Sequence, residues 1–141
     1  MTREIEFRAK RADSNQWVYG YYSKLYDKET NNIEAVISYQ HFETADTSFP
    51  FPTVDIIGVK VDEETVGQYT GLKDKNGVQI FDGDILKKGN QIILVLWNEK
   101  YASFTLHCNN WGACISFFYE DIYPEDCEVV GNNIDNPDLL K

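Results

Sequence analysis

The sequence predicts a mainly β protein, with a small barrel or roll in the C-terminal half and a smaller β-rich part before it. Three observations carry this. Short β-rich runs recur along the chain, several with the period-two alternation of a strand buried on one side. Gly, Asn and Pro punctuate those runs at tight intervals in the second half. Between them "EETVGQYTGLKDKNG", residues 63–77, has no apolar repeat of the helical kind.

In chain order, Ile5, Phe7 and Ala9 alternate with Glu6, Arg8 and Lys10, as in a half-buried strand. "RADSNQ" is polar turn material and "WVYGYYSKLY" returns with β-formers, so residues 3–26 read as a hairpin in which Gly20 marks a bulge or a close backbone approach. "DKETNN" is a second turn. "IEAVISY" fits a strand and equally one or two turns of helix. Residues 40–53 read as a loop or edge, because Pro50 and Pro52 remove donors and restrict the residues before them. "VDIIGVKVD" is a strand, and the seam follows it, dividing the chain into residues 1–61 and 62–141. Then come "GVQIFDGDILKKG", "NQIILVLWNE", "KYASFTLHC", "GACISFFYED" and "EVVGN". So many short strands with tight turns suit a small barrel, since closure removes exposed edges. In the tail, Asn136 is placed to cap a short helical turn that Pro137 starts.

Composition narrows the function classes. At 141 residues the chain has room for one good core or two small ones, and 43% hydrophobic content excludes a disordered chain. No run reaches the roughly 20 apolar residues of a membrane span, and "MTREIEFRAK" lacks the apolar centre of a secretion signal, so the expected location is the cytoplasm. Three cysteines without a C-x-x-C indicate neither a disulfide framework nor a zinc ribbon. A net charge of −10 sets the average surface against nucleic acid. From Tyr101 onward there are seven acidic residues and Lys141 is the single base.

"TGLKDKNGVQIFDGDIL", residues 70–86, invites three readings. A phosphate loop needs Gly-Lys-Ser/Thr at a helix start, which is missing. An EF-hand counted from Asp74 places Gly77 fourth and Gly83 tenth, against the required sixth-position Gly. A hairpin needs Asn-Gly between apolar runs, with both residues at positive φ, and Asn76-Gly77 fits. Asp82-Gly83 makes a second tight feature that turns Ile85 and Leu86 into the core.

The start "REIEFRA", the aromatic "WVYG", the central "ETVGQYTGLKDKNGVQIFDGDIL" and the end "VVGNNIDNPDLL" together resemble the YopX family of bacteriophages and prophages of Gram-positive hosts. The resemblance says least about residues 33–52. It implies an SH3-like barrel in the C-terminal half with a smaller N-terminal part, and it implies no activity.

The residues themselves offer little chemistry. His107 and Cys108 are adjacent and on a strand point to opposite faces, and a metal set of His41, Cys108 and Cys114 would need distant parts of the chain to converge. Cys127 lies between Asp126 and Glu128, whose charge raises a thiol's pKa. Asp82 and Asp84 flank Gly83 as turn formers, and no nucleophile, base and orienter can be named together. The expectation is therefore no catalytic site, no metal and no cofactor. Aromatic surplus is the better lead: Trp97, Tyr101, Phe104, Trp111, Phe117, Phe118 and Tyr119 exceed what a small barrel buries, and alternation sets Trp17, Tyr19 and Tyr21 on one face with Val18 and Tyr22 on the other. With the carboxylates Glu120, Asp121, Glu125 and Asp126, the expected interaction surface is Trp17, Tyr19, Tyr21, Trp97, Trp111 and that acidic group. The expected role is a non-enzymatic phage accessory protein that forms a homo-oligomer in the bacterial cytoplasm and engages a host or phage protein. Two rival readings are an acidic decoy of a host nucleic-acid-binding protein and a nucleic-acid-binding barrel using Arg3, Arg8, Lys10 and Arg11.

Overall fold

The computed structural model describes residues 2–42, 54–108, 115–120 and 122–141. They form two open antiparallel sheets, three short 3-10 turns and no α-helix. Of residues 40–53, expected as a loop or edge, Gln40 to Phe42 are instead the end of a strand paired with Val54 to Ile56, because their backbone groups find partners there, and residues 43–53 lie outside the described residues. Two compact units emerge, Glu6–Val66 and Gly67–Lys141, the second including the residues up to Ile5.

The N-terminal unit contains β1 (Phe7–Lys10), β2 (Trp17–Asp27), β3 (Asn32–Phe42) and β4 (Val54–Lys60), in the order β4-β3-β2-β1. "IEAVISY" is thus a strand, not a helix. Ile5 precedes β1 and is exposed, so the inward alternation begins only at Phe7. The two halves of β2 pair differently: Trp17 to Gly20 face β1, and Tyr21 to Asp27 face β3. Gly20 sits at the changeover because a Cβ there would lie 2.2 Å from the Ser38 carbonyl oxygen, the close approach expected of it. Ala9, Ile37 and Val61 form the core, with Phe7, Val18, Tyr22, Ala35 and Val66 against them. At Val61 the chain beyond β4 meets the end of β1, where Ala12 N donates to Lys60 O (3.0 Å) and Asp62 N to Lys10 O (2.9 Å). The 3-10 turn Glu63–Thr65 closes this corner: Asp62 accepts from Glu64 N, and Thr65 Oγ1 accepts from Lys10 N at 2.8 Å.

The C-terminal unit holds the hairpin β5 (Gly67–Lys73) and β6 (Gln79–Phe81). It also holds β7 (Asp84–Lys88), β8 (Gln91–Asn98), β9 (Ser103–Cys108), β10 (Ile115–Ser116) and β11 (Glu128–Asn132), in the order β10-β9-β8-β7-β11. This sheet is open, where the turn pattern led us to expect closure. Its edges are blunted instead, by a two-residue β10 and by a register shift in β11 between Val129 and Gly131. Register builds the core: Ile93 faces Leu86 and Cys108, and Val95 faces Leu106. These five side chains, with Ile80, Ile122 and Cys127, are buried together.

The Asn76-Gly77 turn joins β5 to β6, but by different chemistry from that expected. Among turn residues Gly77 has φ +79 and Asn76 does not share a positive φ, and the loop closes wider, with Asp74 N donating to Val78 O (2.8 Å) and Gly77 N to Asp74 O (3.0 Å). This is a three-residue loop with glycine in the left-handed position. The reason is Asp74. Its Oδ1 accepts from Asn76 N (2.8 Å) and Val78 N (2.9 Å), and its Oδ2 from Val129 N (2.9 Å) on β11. Burial pushes this carboxyl's pKa up, and the three backbone N–H bonds more than offset that, leaving it below the usual range.

Gly83 turns the chain as expected, at φ +88, with Ile85 and Leu86 buried beyond it. A Cβ there would meet Asn133 Oδ1 at 2.7 Å. In the tail the expected 3-10 turn spans Pro137–Leu140, but Asn136 does not cap it; its Oδ1 accepts from Asn132 N at 3.2 Å instead.

Candidate functional site

The outer face of the N-terminal sheet, opposite its core, is set by cross-strand register. Tyr21, Ser38 and Gly58 form one row across β2, β3 and β4, Ser23, Val36 and Lys60 the next, and Gln40 and Ile56 another. Val18 and Tyr22 turn inward to the core, so Tyr19 and Tyr21 lie outward as alternation required. They are 46% and 63% exposed, and Leu25 and Ile56, on the same face, 52% and 74%. Trp17 is half-buried: Arg8 Cζ lies 4.8 Å and Lys10 Nζ 5.4 Å from its ring centroid.

Gly58 leaves a hollow of about 270 Å³ in this face, floored by Val36 and flanked by Leu25. Lys60 Nζ rims it, 2.7 Å from Asp27 Oδ2 and 3.9 Å from Glu34 Oε1. That ammonium, with the Glu29 N–H, lowers the Asp27 carboxyl to about 2. A second, larger hollow of about 660 Å³ lies between the Arg11–Asp13 turn and Tyr39 and Ile57. The Arg11 guanidinium there is held bidentately by Asp13, at 2.9 Å to each oxygen.

In the C-terminal unit Trp97 and Phe104 are a cross-strand pair, ring centroids 5.1 Å apart, continuing the core rows of β8 and β9 out to the surface. Tyr101 stacks edge-on against Phe117 at 5.6 Å, with Lys100 over its ring. Phe118 packs against the core. Glu120, Glu125 and Asp126 are exposed, Glu125 accepts from Tyr119 OH (3.2 Å), and Tyr119 meets Tyr123 edge-on at 5.7 Å. Trp111 and Asp121 lie outside the described residues, as does Cys114.

The polar candidates for chemistry serve structure. Asp82 Oδ1 accepts from Trp97 N (2.9 Å), and the buried Asp84 accepts from Phe81 N (2.8 Å). His107 Nε2 lies 3.0 Å from Thr105 Oγ1, while Cys108 faces the core. Cys127 is buried as well, and its thiol is pushed up to about 11 by that burial first, with Asp126 a lesser contributor. Among the described residues no group of three or more His, Cys, Asp or Glu could hold a metal ion. No described helix is long and apolar enough to cross a membrane. Of the N-terminal basic residues, Arg3 is exposed, Arg8 and Lys10 are buried, and Arg11 is paired.

Sequence reasoning missed Leu25, Ile56 and Gly58. The signal was present in "VDIIGVKVD", where a glycine interrupts an apolar strand two residues after an isoleucine. Only the register shows that those two residues share the outer face with Tyr21.

With this geometry in place, the model of the YopX family, described as "YopX protein", matches residues 6–141. The chain belongs to the YopX family. A structural neighbour of this YopX chain is a crystal structure of protein EF1440 from Enterococcus faecalis, 22% identical, with a TM-score of 0.58. The match covers 99% of this chain and 100% of the other, so the two share their fold. No curated protein matches the chain.

Proposed function

We propose that this YopX-family chain is a phage or prophage accessory protein of the bacterial cytoplasm, without catalytic activity, and that it works as a β-rich module that self-associates. Its C-terminal unit, a hairpin and a five-stranded sheet in near-sequential order, is best described as an SH3-like roll. The observation that carries the reading is the outer face of the N-terminal sheet, where Tyr19, Tyr21, Leu25 and Ile56 are exposed together. Side chains of this size expose on the order of 100 Å² each at such fractions, so this face carries a few hundred Å² of apolar surface, interspersed with Ser23, Ser38 and Gln40, in the range of the largest and often functional patches of a monomer. Sedimentation velocity over a wide concentration range tests this. Association that strengthens with concentration is expected, and a strict monomer would remove the self-association.

A second reading is favoured by one observation. Glu120, Glu125 and Asp126 are exposed beside Tyr119 and Tyr123, a mixture of acid and aromatic surface suited to occupying a nucleic-acid-binding protein. Capture from host lysate should then recover such a protein in a complex that weakens with salt. Indifference to salt would count against it.

A further inference from the structure

We infer that two copies of this chain meet through the outer face of β2, β3 and β4, with Ile56 of each copy seated in the hollow that Gly58 leaves in the other. This rests on the self-association proposed above and assigns it a surface.

Ile56 is the most exposed large apolar residue among those described, and it stands two residues from Gly58 on the same strand and the same face. Knob and hole are therefore roughly 6.6 Å apart along β4. A two-fold axis lying between the facing sheets at the level of Ile57 runs the two β4 strands antiparallel. It places residue 56 of one copy opposite residue 58 of its partner, twice. That is the isologous contact by which most homodimers are built.

The hollow suits the knob in size and character. An apolar cavity of about 150 Å³ takes up benzene, and the solvent-open hollow of about 270 Å³ lined by Leu25, Tyr26, Val36 and Gly58 has room for an isoleucine side chain. Glycine is what keeps it open. A Cβ at Gly58 would lie 3.3 Å from Val36 Cγ1 and begin to fill it, and no positive φ demands glycine there.

Charge and area point to the same occupant. The ionised groups rimming the hollow are Lys60, Asp27 and Glu34, already joined to one another, so a second chain of net charge −10 can approach here with less repulsion than at the acidic C-terminal segment. The four exposed side chains supply on the order of 400 Å² of apolar surface. With Ser23, Ser38 and Gln40 between and beside them, the face reaches on the order of 500–600 Å² per partner, the low end of specific interfaces.

The test uses the full chain, with mass measured by light scattering and sedimentation for wild type, Ile56→Lys and Gly58→Leu. Wild type is expected to dimerise, and each variant to weaken the dimer by about 30-fold or more, as loss of a central anchor does. Ile56→Lys alters an exposed side chain and should leave the circular dichroism spectrum unchanged, so it decides the matter if Gly58→Leu disturbs folding. A mixture of Ile56→Cys and Gly58→Cys chains should also cross-link on oxidation more than either alone. If wild type dimerises and both variants dimerise equally well, this interface is wrong while self-association stands. If wild type is a monomer throughout, both fail. A monomer that loses a co-purifying protein on Ile56→Lys would assign the face to that protein and overturn the second copy as its occupant.

Discussion

The two units use the same strand grammar to different ends. In the C-terminal unit the hairpin β5–β6 and five further strands bury eight residues in one cluster, and its outlying aromatics, Trp97 with Phe104 and Tyr101 with Phe117, extend packed rows. In the N-terminal unit, with its longer strands, the core cluster among the described residues has three buried members, while the opposite face of the same sheet exposes tyrosine, leucine and isoleucine. Strand length alone therefore does not measure stability. A long strand with one covered face contributes surface as much as core.

Core truncation tests that contrast most severely. Leu106→Ala should cost about 2–5 kcal/mol in urea unfolding, because the close neighbours of Leu106 across β8 and β9 limit collapse of the cavity. Ile37→Ala should fall toward the low end of that range, since Phe7 and Tyr22 are only partly buried and can move into the space. In Ile37→Ala, hydrogen exchange should lose protection in β2 and β3 while β7 to β9 keep theirs. Equal or greater cost at Ile37 would break the comparison.

Next in size is Asp74, the carboxylate that ties the β5–β6 turn to β11. Asp74→Ala should cost about 2–4 kcal/mol, because three backbone donors lose a charged acceptor, and Asp74→Asn should cost less. Its pKa is depressed on folding, so the unfolded chain binds the proton more readily. The stabilisation is therefore complete above the unfolded carboxyl pKa of about 3.9 and is lost as pH falls through the lower folded value. Urea midpoints measured below about pH 5 should fall less steeply for Asp74→Asn than for wild type. Identical slopes would show that Asp74 is not the group responsible.

The smallest effect expected is at Asp27, the half-buried counterpart in the N-terminal unit. Its carboxyl should titrate near 2 by NMR and move up toward the ordinary range in Lys60→Met, since Lys60 is the first cause of its shift. The Glu29 and Thr30 amides would keep it from returning fully. An unmoved titration would mean that the Lys60 pair does not persist in solution.

How far the fold was legible depended on how far each cause reaches along the chain. The strands were legible because alternation is a property of the backbone itself, and so were Gly20 and Gly83, whose demands show within a few residues. Local spacing offers Asp74 only as the first position of a calcium loop that fails. Its decisive partner, Val129 N, lies 55 residues away. Ile5 misled, because alternation continues into a segment that no strand covers. Trp17 alternates with Val18 as Tyr19 and Tyr21 do, and only the packing shows that it is half-buried against Arg8 and Lys10.

By itself the sequence determined the β character, the positions of the tight turns, the alternating faces of β2 and the family. These follow from local stereochemistry and from motifs read within a single stretch of chain. Tertiary structure alone decided that the five-stranded sheet stays open, that Asp74 secures the central turn, and that Gly58 and Ile56 join Tyr21 and Leu25 on one uncovered face. Those depend on which strand lies beside which and in what register. A strand's own sequence specifies its two faces, but neither its neighbours nor which face they leave open.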